Sequence, residues 1–273
     1  MESMITINTF RPRKLAEFIK TFWCLTVNSS SPAYQEDIIP DGHPEIIIQK
    51  EHGCAKRRKI GGTWVVEPES FIAGQNLSGY QVQIKEGSVL YGIRFYPHTL
   101  SLLCPFPAYM ITDQIIPFEE IFKIDELRNC IRENPEKTFS NLESFLEIKI
   151  LSGERRLTKL MYLNQAISAI LSNKGFVKID NLVLQSGLSA RYINTLFDRF
   201  VGIRPKQLCR IVQMNFFIHY QLSHPEKKIT ECCYEASFFD QSHLIKSFRD
   251  LTNTTPRAYF KDTNYINNYF SGL

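Results

Sequence analysis

The sequence predicts an α+β protein, with a β-rich N-terminal part and an all-α C-terminal part. Short apolar runs separated by Gly, Pro, Asn and Asp fill the first ~115 residues, as is typical of antiparallel strands. From about Pro117 onward, apolar residues recur at helical spacing. The length of 273 residues suffices for two domains, which we place at residues 1–153 and 154–273.

In the N-terminal part, residues 45–49, 79–84 and 89–95 read as strands. Several spaced strands favour a small barrel or sandwich, of cupin-like type, over a parallel sheet. Residues 14–23 are expected to form a short helix, because apolar side chains recur there at helical spacing, at Leu15, Phe18, Ile19 and Phe22. The basic run at residues 56–59 is interpreted as a solvated hairpin loop between glycines.

A helix is expected over residues 138–151, as a connecting element or as a dimer-forming one. Its apolar residues share one face: Phe139, Leu142, Phe145, Leu146 and Ile150. The next four residues, 153–156, are the expected linker between the two parts.

Charge and composition point to a cytoplasmic protein whose C-terminal part meets a polyanion. The chain has no run of ~18 apolar residues and no signal-peptide pattern, so no membrane partner is expected. Residues 154–273 carry 16 Lys and Arg against 9 Asp and Glu, whereas residues 1–153 carry 16 against 19. The seven cysteines are scattered and form no C-x-x-C pair, which favours a reduced cytosol and small core residues over a disulfide framework.

The C-terminal part contains an internal repeat. Six residues from Ile179 to Leu188 recur 50 positions later, from Ile229 to Phe238, and five more from Ile193 to Leu208 recur 51 positions later. Each copy reads as helix, tight turn, helix, joined by a helix from Pro205 to about Leu222. This is the geometry that lets a second helix enter the major groove of DNA.

Capping residues place the helix ends in each copy. In the first, Asp180 is expected to begin a helix that Gly187 ends in a left-handed conformation, and Ser189 to cap the next one. A buried stripe then follows in that helix: Ile193, Leu196, Phe197 and Phe200. In the second copy Asp240 is the expected cap, with Leu244, Phe248 and Leu251 as the stripe.

The opposite faces of these helices present side chains suited to DNA. Arg pairs with guanine, and Asn or Gln with adenine. The expected base contacts are Arg191, Asn194, Thr195, Gln241, Ser242 and Lys246. The expected phosphate contacts lie at the ends of the two units: Arg204, Lys206, Arg210, Arg249 and Arg257. Asp198 is expected to face away from DNA, because phosphate repels a carboxylate.

The C-terminal part resembles the arabinose-operon-regulator (AraC/XylS) family of transcription regulators. Residues 238–248 read Phe-Phe-Asp-Gln-Ser-His-Leu-Ile-Lys-Ser-Phe, close to the family pattern G-F-x-D-Q-S-H-F-x-R-x-F. Residues 254–259 match its T-P-x-x-Y ending, and the first unit matches through Ser186-Gly187-Leu188-Ser189. The resemblance implies the same base-reading positions. Three residues depart from the family pattern, Ser237 and Asn253 where it has Gly, and Thr195 where Arg is common.

The N-terminal part resembles a sensor-like domain found in some members of that family. The motif is Pro40-Asp41-Gly42 with its neighbours, together with residues 92–97. The resemblance implies a domain for a small-molecule effector of unknown identity or for homodimerisation. The partners expected are promoter DNA and RNA polymerase, with no cofactor, no metal and no enzymatic activity.

Two other functions are open on the sequence. One is a metal-dependent β-barrel enzyme that uses His43, Glu45 and His98, since His43 and Glu45 fall on one face of a strand. The other is a redox or alkylation sensor, which needs an activated cysteine. The aromatic residues Trp23, Trp64, Phe71 and Tyr80 either line an effector pocket or fill the β core.

Overall fold

A computed structural model describes residues 4–151, 154–261 and 265–271. Within these residues, ten strands pair antiparallel in two sheets, as a sandwich, and helices follow. One sheet has the order β1-β2-β9-β4-β7-β10 and the other β3-β8-β5-β6. The strands are β1 Ile5–Phe10, β2 Ile19–Val27, β3 Tyr34–Ile38, β4 Glu45–Gln49, β5 Ala55–Lys59, β6 Val65–Val66, β7 Ser70–Ala73, β8 Tyr80–Ile84, β9 Val89–Phe95 and β10 Ile115–Pro117.

The three strands predicted from sequence are confirmed as β4, β8 and β9. The helix expected at residues 14–23 is wrong, because Ile19 already begins strand β2. That strand lies between β1 and β9, and consecutive side chains such as Phe22 and Trp23 are both buried, on opposite faces. A strand covered on both faces shows no alternation of polar and apolar residues, so its apolar positions fall on helical spacing by chance.

The basic run at residues 56–59 is strand β5 and not a solvated loop. It pairs with β8 on one side and β6 on the other. Alternation along the strand turns Arg57 inward, where its Nε lies 2.5 Å from Glu67 Oε1 and its guanidinium covers the ring of Tyr80 at 4.5 Å. Arg57 therefore supplies an internal charge, whereas Lys59 at the end of the run is exposed.

Helices dominate after Pro117, as predicted. They are α1 Ile124–Arg128, α2 Pro135–Leu151, α3 Glu154–Ser172, α4 Ile179–Ser186, α5 Ala190–Phe200, α6 Pro205–Ser223, α7 Ile229–Glu235, α8 Gln241–Thr252, α9 Pro256–Tyr259 and α10 Tyr265–Ser271. Of the expected linker, residue 153 lies outside the described residues and Glu154 already begins α3. Among the described helices, none is long and apolar enough to span a membrane.

Helix α2 has the apolar face that its sequence predicts, and this face packs on the chain's own sheet. The ring of Phe139 lies 5.0 Å from that of Phe10 and 5.1 Å from that of Phe22. Leu142, Leu146 and Ile150 are fully buried in the same cluster. The helix is therefore a connecting element, and this face is not available to a second copy of the chain. The same cluster continues into α3–α8, so both parts of the chain share one hydrophobic core.

Candidate nucleic-acid interface and internal cavity

The first helix–turn–helix unit consists of α4 and α5. Gly187 ends α4 with a left-handed φ of 65°, as predicted, although the helix begins at Ile179 after Lys178 rather than at Asp180. Ser189 caps α5, with its Oγ accepting a hydrogen bond from the backbone N of Tyr192 at 3.2 Å. The predicted stripe is buried: Ile193, Leu196, Phe197 and Phe200.

The second unit, α7 and α8, has the same plan with different residues. Ser237 takes the left-handed turn conformation, with φ 52°, that Gly187 has in the first unit. Asp240 caps α8 by accepting from the backbone N of His243 at 2.7 Å. Asn253 ends α8 at φ 59°, again left-handed. The predicted stripe of Leu244, Phe248 and Leu251 is buried.

The six expected base-contacting residues lie at or near the starts of α5 and α8 and are open to solvent. Arg191, Thr195, Gln241, Ser242 and Lys246 are exposed, and Asn194 is half-buried. Thr195 Oγ1 donates to the carbonyl of Arg191 at 3.0 Å, so its hydroxyl is turned to its own helix. Helix α6, as predicted, joins the two units and begins at Pro205. The exposed side chains of α5 and α8 are therefore held on one helical framework.

The expected phosphate-contacting residues fall into two groups. Arg204 Nε lies 2.8 Å from Asp198 Oδ1, and Arg210 Nη2 lies 3.1 Å from Asp250 Oδ2. The other three residues, Lys206, Arg249 and Arg257, are exposed. Because exposed ion pairs are weak in water, Asp198 and Asp250 hold their partners only loosely.

Two family models match the chain. Residues 182–262 match a model described as a helix-turn-helix domain, and residues 8–117 match one described as a domain of unknown function (DUF6597). The C-terminal part is an AraC-type helix-turn-helix domain. The chain is accordingly a DNA-binding transcription regulator. None of the curated proteins matches it.

Distant solved structures share much of the length of this regulator. Unsaturated fatty acid-bound ToxT from Vibrio cholerae is 12% identical, with 93% of this chain and 94% of ToxT covered at a TM-score of 0.47. The AraC-like transcriptional activator CuxR is 10% identical, with 86% of this chain and 92% of CuxR covered at a TM-score of 0.28.

The regulator has an internal cavity of about 90 Å³ between the two sheets of its N-terminal part. Apolar walls come from strands of both sheets, among them Leu25, Ile47, Val82 and Leu90. Five charged residues also line it: Asp41, Glu45, Arg57, Glu67 and Arg94. Of the four aromatic residues singled out from the sequence, Trp23 and Tyr80 line the cavity, Phe71 is in the core, and Trp64 lies beneath the guanidinium of Arg58.

Arg94 is the central charge of this cavity, and only 3% of its side chain is exposed. Its Nη1 donates to Glu45 Oε1 at 2.6 Å and its Nη2 to Asp41 Oδ2, while its Nε has no hydrogen-bond partner among the described residues. Burial raises the pKa of Glu45, and the charge of Arg94 opposes this. The arginine is thus held by two carboxylates.

The three residues of the possible metal site, His43, Glu45 and His98, each bind a different partner. His43 Nδ1 lies 2.9 Å from the carbonyl of Phe95, so Nδ1 carries the proton, and its Nε2 accepts from Lys20 Nζ at 3.1 Å. His98 Nε2 donates to Asn164 Oδ1, and Glu45 binds Arg94. Over residues 4–151, 154–261 and 265–271, no three His, Cys, Asp or Glu residues converge as metal ligands.

A redox or alkylation sensor needs a reactive cysteine, and the cysteines of this protein are buried. All seven cysteines are buried, and no disulfide joins any two of them among the described residues. Burial raises the pKa of the Cys209 thiol to about 11, and it raises the pKa of Cys232 and Cys233 in the second unit as well. Since the thiolate is the reactive form, these cysteines behave as small core residues.

Sequence reasoning missed the charged lining of the cavity and the role of the last helix. Arg94 lies in a strand of apolar neighbours, and a lone arginine inside such a strand is the signal that predicts an internal ion pair. Arg57 belongs to the basic run of β5, which gives no such signal. Ile266, Asn267 and Phe270 of α10 also line the cavity. No local pattern in the sequence indicates that the last helix returns to the N-terminal part.

Proposed function

We propose that the protein reads two successive major grooves of promoter DNA with α5 and α8, under the control of a small molecule bound in the internal cavity. The observation that carries this proposal is the pair of capped recognition helices, each exposing polar side chains near its start. A rigid pair of such helices fits grooves about 34 Å apart.

The roles in base reading are assigned by side-chain chemistry. Arg191 is suited to guanine O6 and N7, and Asn194 and Gln241 to adenine N6 and N7. Lys246 is suited to guanine and Ser242 to either base. Thr195 is the weakest of the six, since its hydroxyl already donates to its own helix.

The phosphate contacts come from the five basic residues at the ends of the units. DNA carries about one phosphate charge per 1.7 Å of its helix axis, which gives a stronger negative field than the single carboxylates of Asp198 and Asp250. DNA is therefore expected to draw Arg204 and Arg210 away from these carboxylates. Each contact releases counterions, so affinity falls steeply with salt.

The loop at Pro40, Asp41 and Gly42 supports control by the cavity. Asp41 pairs with Arg94 inside the cavity, whereas the carbonyl of Pro40 accepts from Asn215 Nδ2 on α6 at 2.8 Å. A molecule that displaces Asp41 from Arg94 therefore acts on the helix that joins the two units. The domain division at residue 153, a cytoplasmic location, homodimerisation and contact with RNA polymerase stay predictions.

The test is selection of sites from random duplex DNA by the full-length protein, followed by salt titration of the selected site. Nanomolar binding that resists random competitor is expected, with a steep salt slope. Arg204→Ala is expected to weaken binding evenly on selected and random DNA. Failure to enrich any sequence, with or without cell extract metabolites, would refute the assignment of base readout to α5 and α8.

A further inference from the structure

Helix α10 follows the second helix–turn–helix unit and docks on the N-terminal sandwich. The backbone N atoms of Ile266 and Asn267 donate to the two oxygens of Glu36, each at 2.9 Å. The Asn267 side chain accepts from the backbone N of Ile39 at 3.0 Å and donates to the carbonyl of Asp37 at 2.5 Å. These four hydrogen bonds attach the start of α10 to the end of β3.

This attachment places Phe270 at the cavity. Its ring lies 4.4 Å from the guanidinium carbon of Arg94 and 5.9 Å from the ring of Trp23. Arg94 is desolvated, and a cation on an aromatic face is most strongly stabilised under that condition. The position on Arg94 is therefore one that favours an aromatic ring, and a residue of the chain itself fills it.

Phe270 also lines a second space, outside the internal cavity. An outer cleft of about 220 Å³ lies between the sandwich and helices α3 and α6, with Leu171 and Phe216 in its helical wall. Arg94, Asp41 and Phe270 line both spaces. Because the two spaces share these lining residues, removal of the Phe270 ring from this position is expected to join the cavity to the cleft.

We infer that the effector is a small, neutral aromatic molecule whose ring replaces that of Phe270 on Arg94, and that its binding releases α10. The link to DNA rests on the proposed function, whereas the binding site itself does not.

The charged residues that line the cavity determine which polar group the effector can carry. Three carboxylates, Asp41, Glu45 and Glu67, face two guanidiniums, Arg57 and Arg94. An anionic ligand adds a fourth negative charge at low dielectric, which is unfavourable. A neutral group that both accepts and donates, such as an amide, can accept from a guanidinium N–H and donate to a carboxylate of the lining.

The path from α10 to DNA runs through the second unit. Tyr259 OH lies 3.4 Å from Asn268 Oδ1 on α10, and the Tyr259 ring packs 5.5 Å from that of Phe248 in α8. The end of α8 is also held on the sandwich, since the backbone N of Gly79 donates to the carbonyl of Leu251 at 2.7 Å. Release of α10 removes one of these supports and frees α8 to adjust to its groove.

Fluorescence of Trp23 in the full-length protein tests the site. The chain has two tryptophans, so Trp64→Phe leaves Trp23 as the reporter. In this background we compare Phe270→Ala with Tyr269→Ala, a neighbour on α10 that does not line the cavity. The probes are benzamide and its non-aromatic counterpart cyclohexanecarboxamide.

Benzamide is expected to bind Phe270→Ala about tenfold more tightly than Tyr269→Ala, because the internal competitor is gone. Cyclohexanecarboxamide is expected to bind Phe270→Ala several-fold more weakly than benzamide, because it lacks the aromatic face. Equal affinity of Phe270→Ala for both probes would indicate an apolar cavity with no preference for an aromatic ring, and would overturn the inference. Equal affinity of the two variants for benzamide would overturn it as well.

Binding to the selected DNA site tests the coupling. Phe270→Ala, and the Trp64→Phe protein saturated with benzamide, are each expected to bind this site several-fold more tightly than the Tyr269→Ala control. Unchanged DNA affinity together with selective benzamide binding overturns the coupling but keeps the site. Loss of specific DNA binding in every variant, with selective benzamide binding intact, refutes the proposed function and leaves the aromatic site standing.

Discussion

The two helix–turn–helix units reach the same geometry with different residues and different attachments. The first turns at Gly187 and caps with Ser189, and the second turns at Ser237 and caps with Asp240. A left-handed serine costs more than a glycine, so the second unit depends more on its surroundings to keep its turn. The two units thus have similar local folds but differ in how much of their stability comes from contacts with the rest of the chain.

The attachments to the sandwich differ as well. The first unit is held where Thr112 Oγ1 donates to the carbonyl of Gly202 at 2.7 Å, after the 3₁₀ turn Ala108–Ile111. The second is held at Gly79, where Asn253 Nδ2 also donates at 3.3 Å, and through α10 at the cavity. From these attachments we expect the second unit to respond more strongly to the cavity than the first.

The attachment of the first unit is broken most strongly by Gly202→Ala. Gly202 has φ +90°, and an added Cβ would lie 2.9 Å from the carbonyl oxygen of Ala108. We expect the free energy of unfolding to fall by about 2–4 kcal/mol, measured by urea denaturation. Gly61→Ala is the matched control, because Gly61 is left-handed with nothing within 4 Å. Equal losses in both variants would show that backbone strain, and not the contact with the 3₁₀ turn, accounts for the effect.

Alanine variants in α5 and α8 measure how much each unit contributes to base reading. Gln241→Ala and Lys246→Ala are each expected to cost about 1–3 kcal/mol on the selected site and to relax specificity at one base pair. Thr195→Ala is expected to cost less, since its hydroxyl is bonded to the Arg191 carbonyl. Competition binding against single-base variants of the site measures this. Unaltered binding by both α8 variants would contradict the placement of the second recognition helix.

The junction between the sandwich and α3 is expected to weaken in acid through His98. Burial lowers the pKa of His98 to about 4, while an unfolded histidine titrates near 6.5. The folded protein therefore stays unprotonated at His98 while the unfolded chain takes up a proton. The free energy of unfolding falls as the pH drops from about 6.5 to about 4, by up to ~1.4 kcal/mol per pH unit from this residue.

Urea denaturation at pH 7, 6 and 5 checks the effect of His98. His98→Gln keeps a donor for Asn164 and removes the titration, so its unfolding free energy is expected to depend less on pH than that of the wild type. Parallel pH profiles would assign the acid sensitivity to other groups, such as His43, whose pKa burial lowers to about 3.

The smallest expected changes in stability come from substitutions in the turns of the two units. Gly187→Ala is expected to destabilise the protein by about 1 kcal/mol, because nothing touches the added Cβ and only the left-handed strain remains. Ser237→Gly is expected to stabilise it by about 0.5–1 kcal/mol through relief of the same strain. Thermal unfolding of both variants measures this, and changes of the same sign would contradict the equivalence of the turns.

The sequence alone determined the parts of this regulator that depend on near neighbours. Helix caps at Ser189 and Asp240 follow from contacts within three residues, and the left-handed positions at Gly187 and Asn253 follow from backbone sterics. The exposed faces proposed to read bases follow from the buried stripes of α5 and α8, because helical periodicity sets both at once.

Only the tertiary structure decided the interior of the sandwich and the fate of the last helix. Residues 14–23 and 56–59 are misread locally because strand pairing, and not their own pattern, determines which side chains are buried. Asn267 accepts a hydrogen bond from Ile39, which lies 228 positions earlier in the chain. The ring of Phe270 packs on Arg94 only once both parts of the chain have folded. Such contacts arise from the packing of distant segments, which no local spacing encodes.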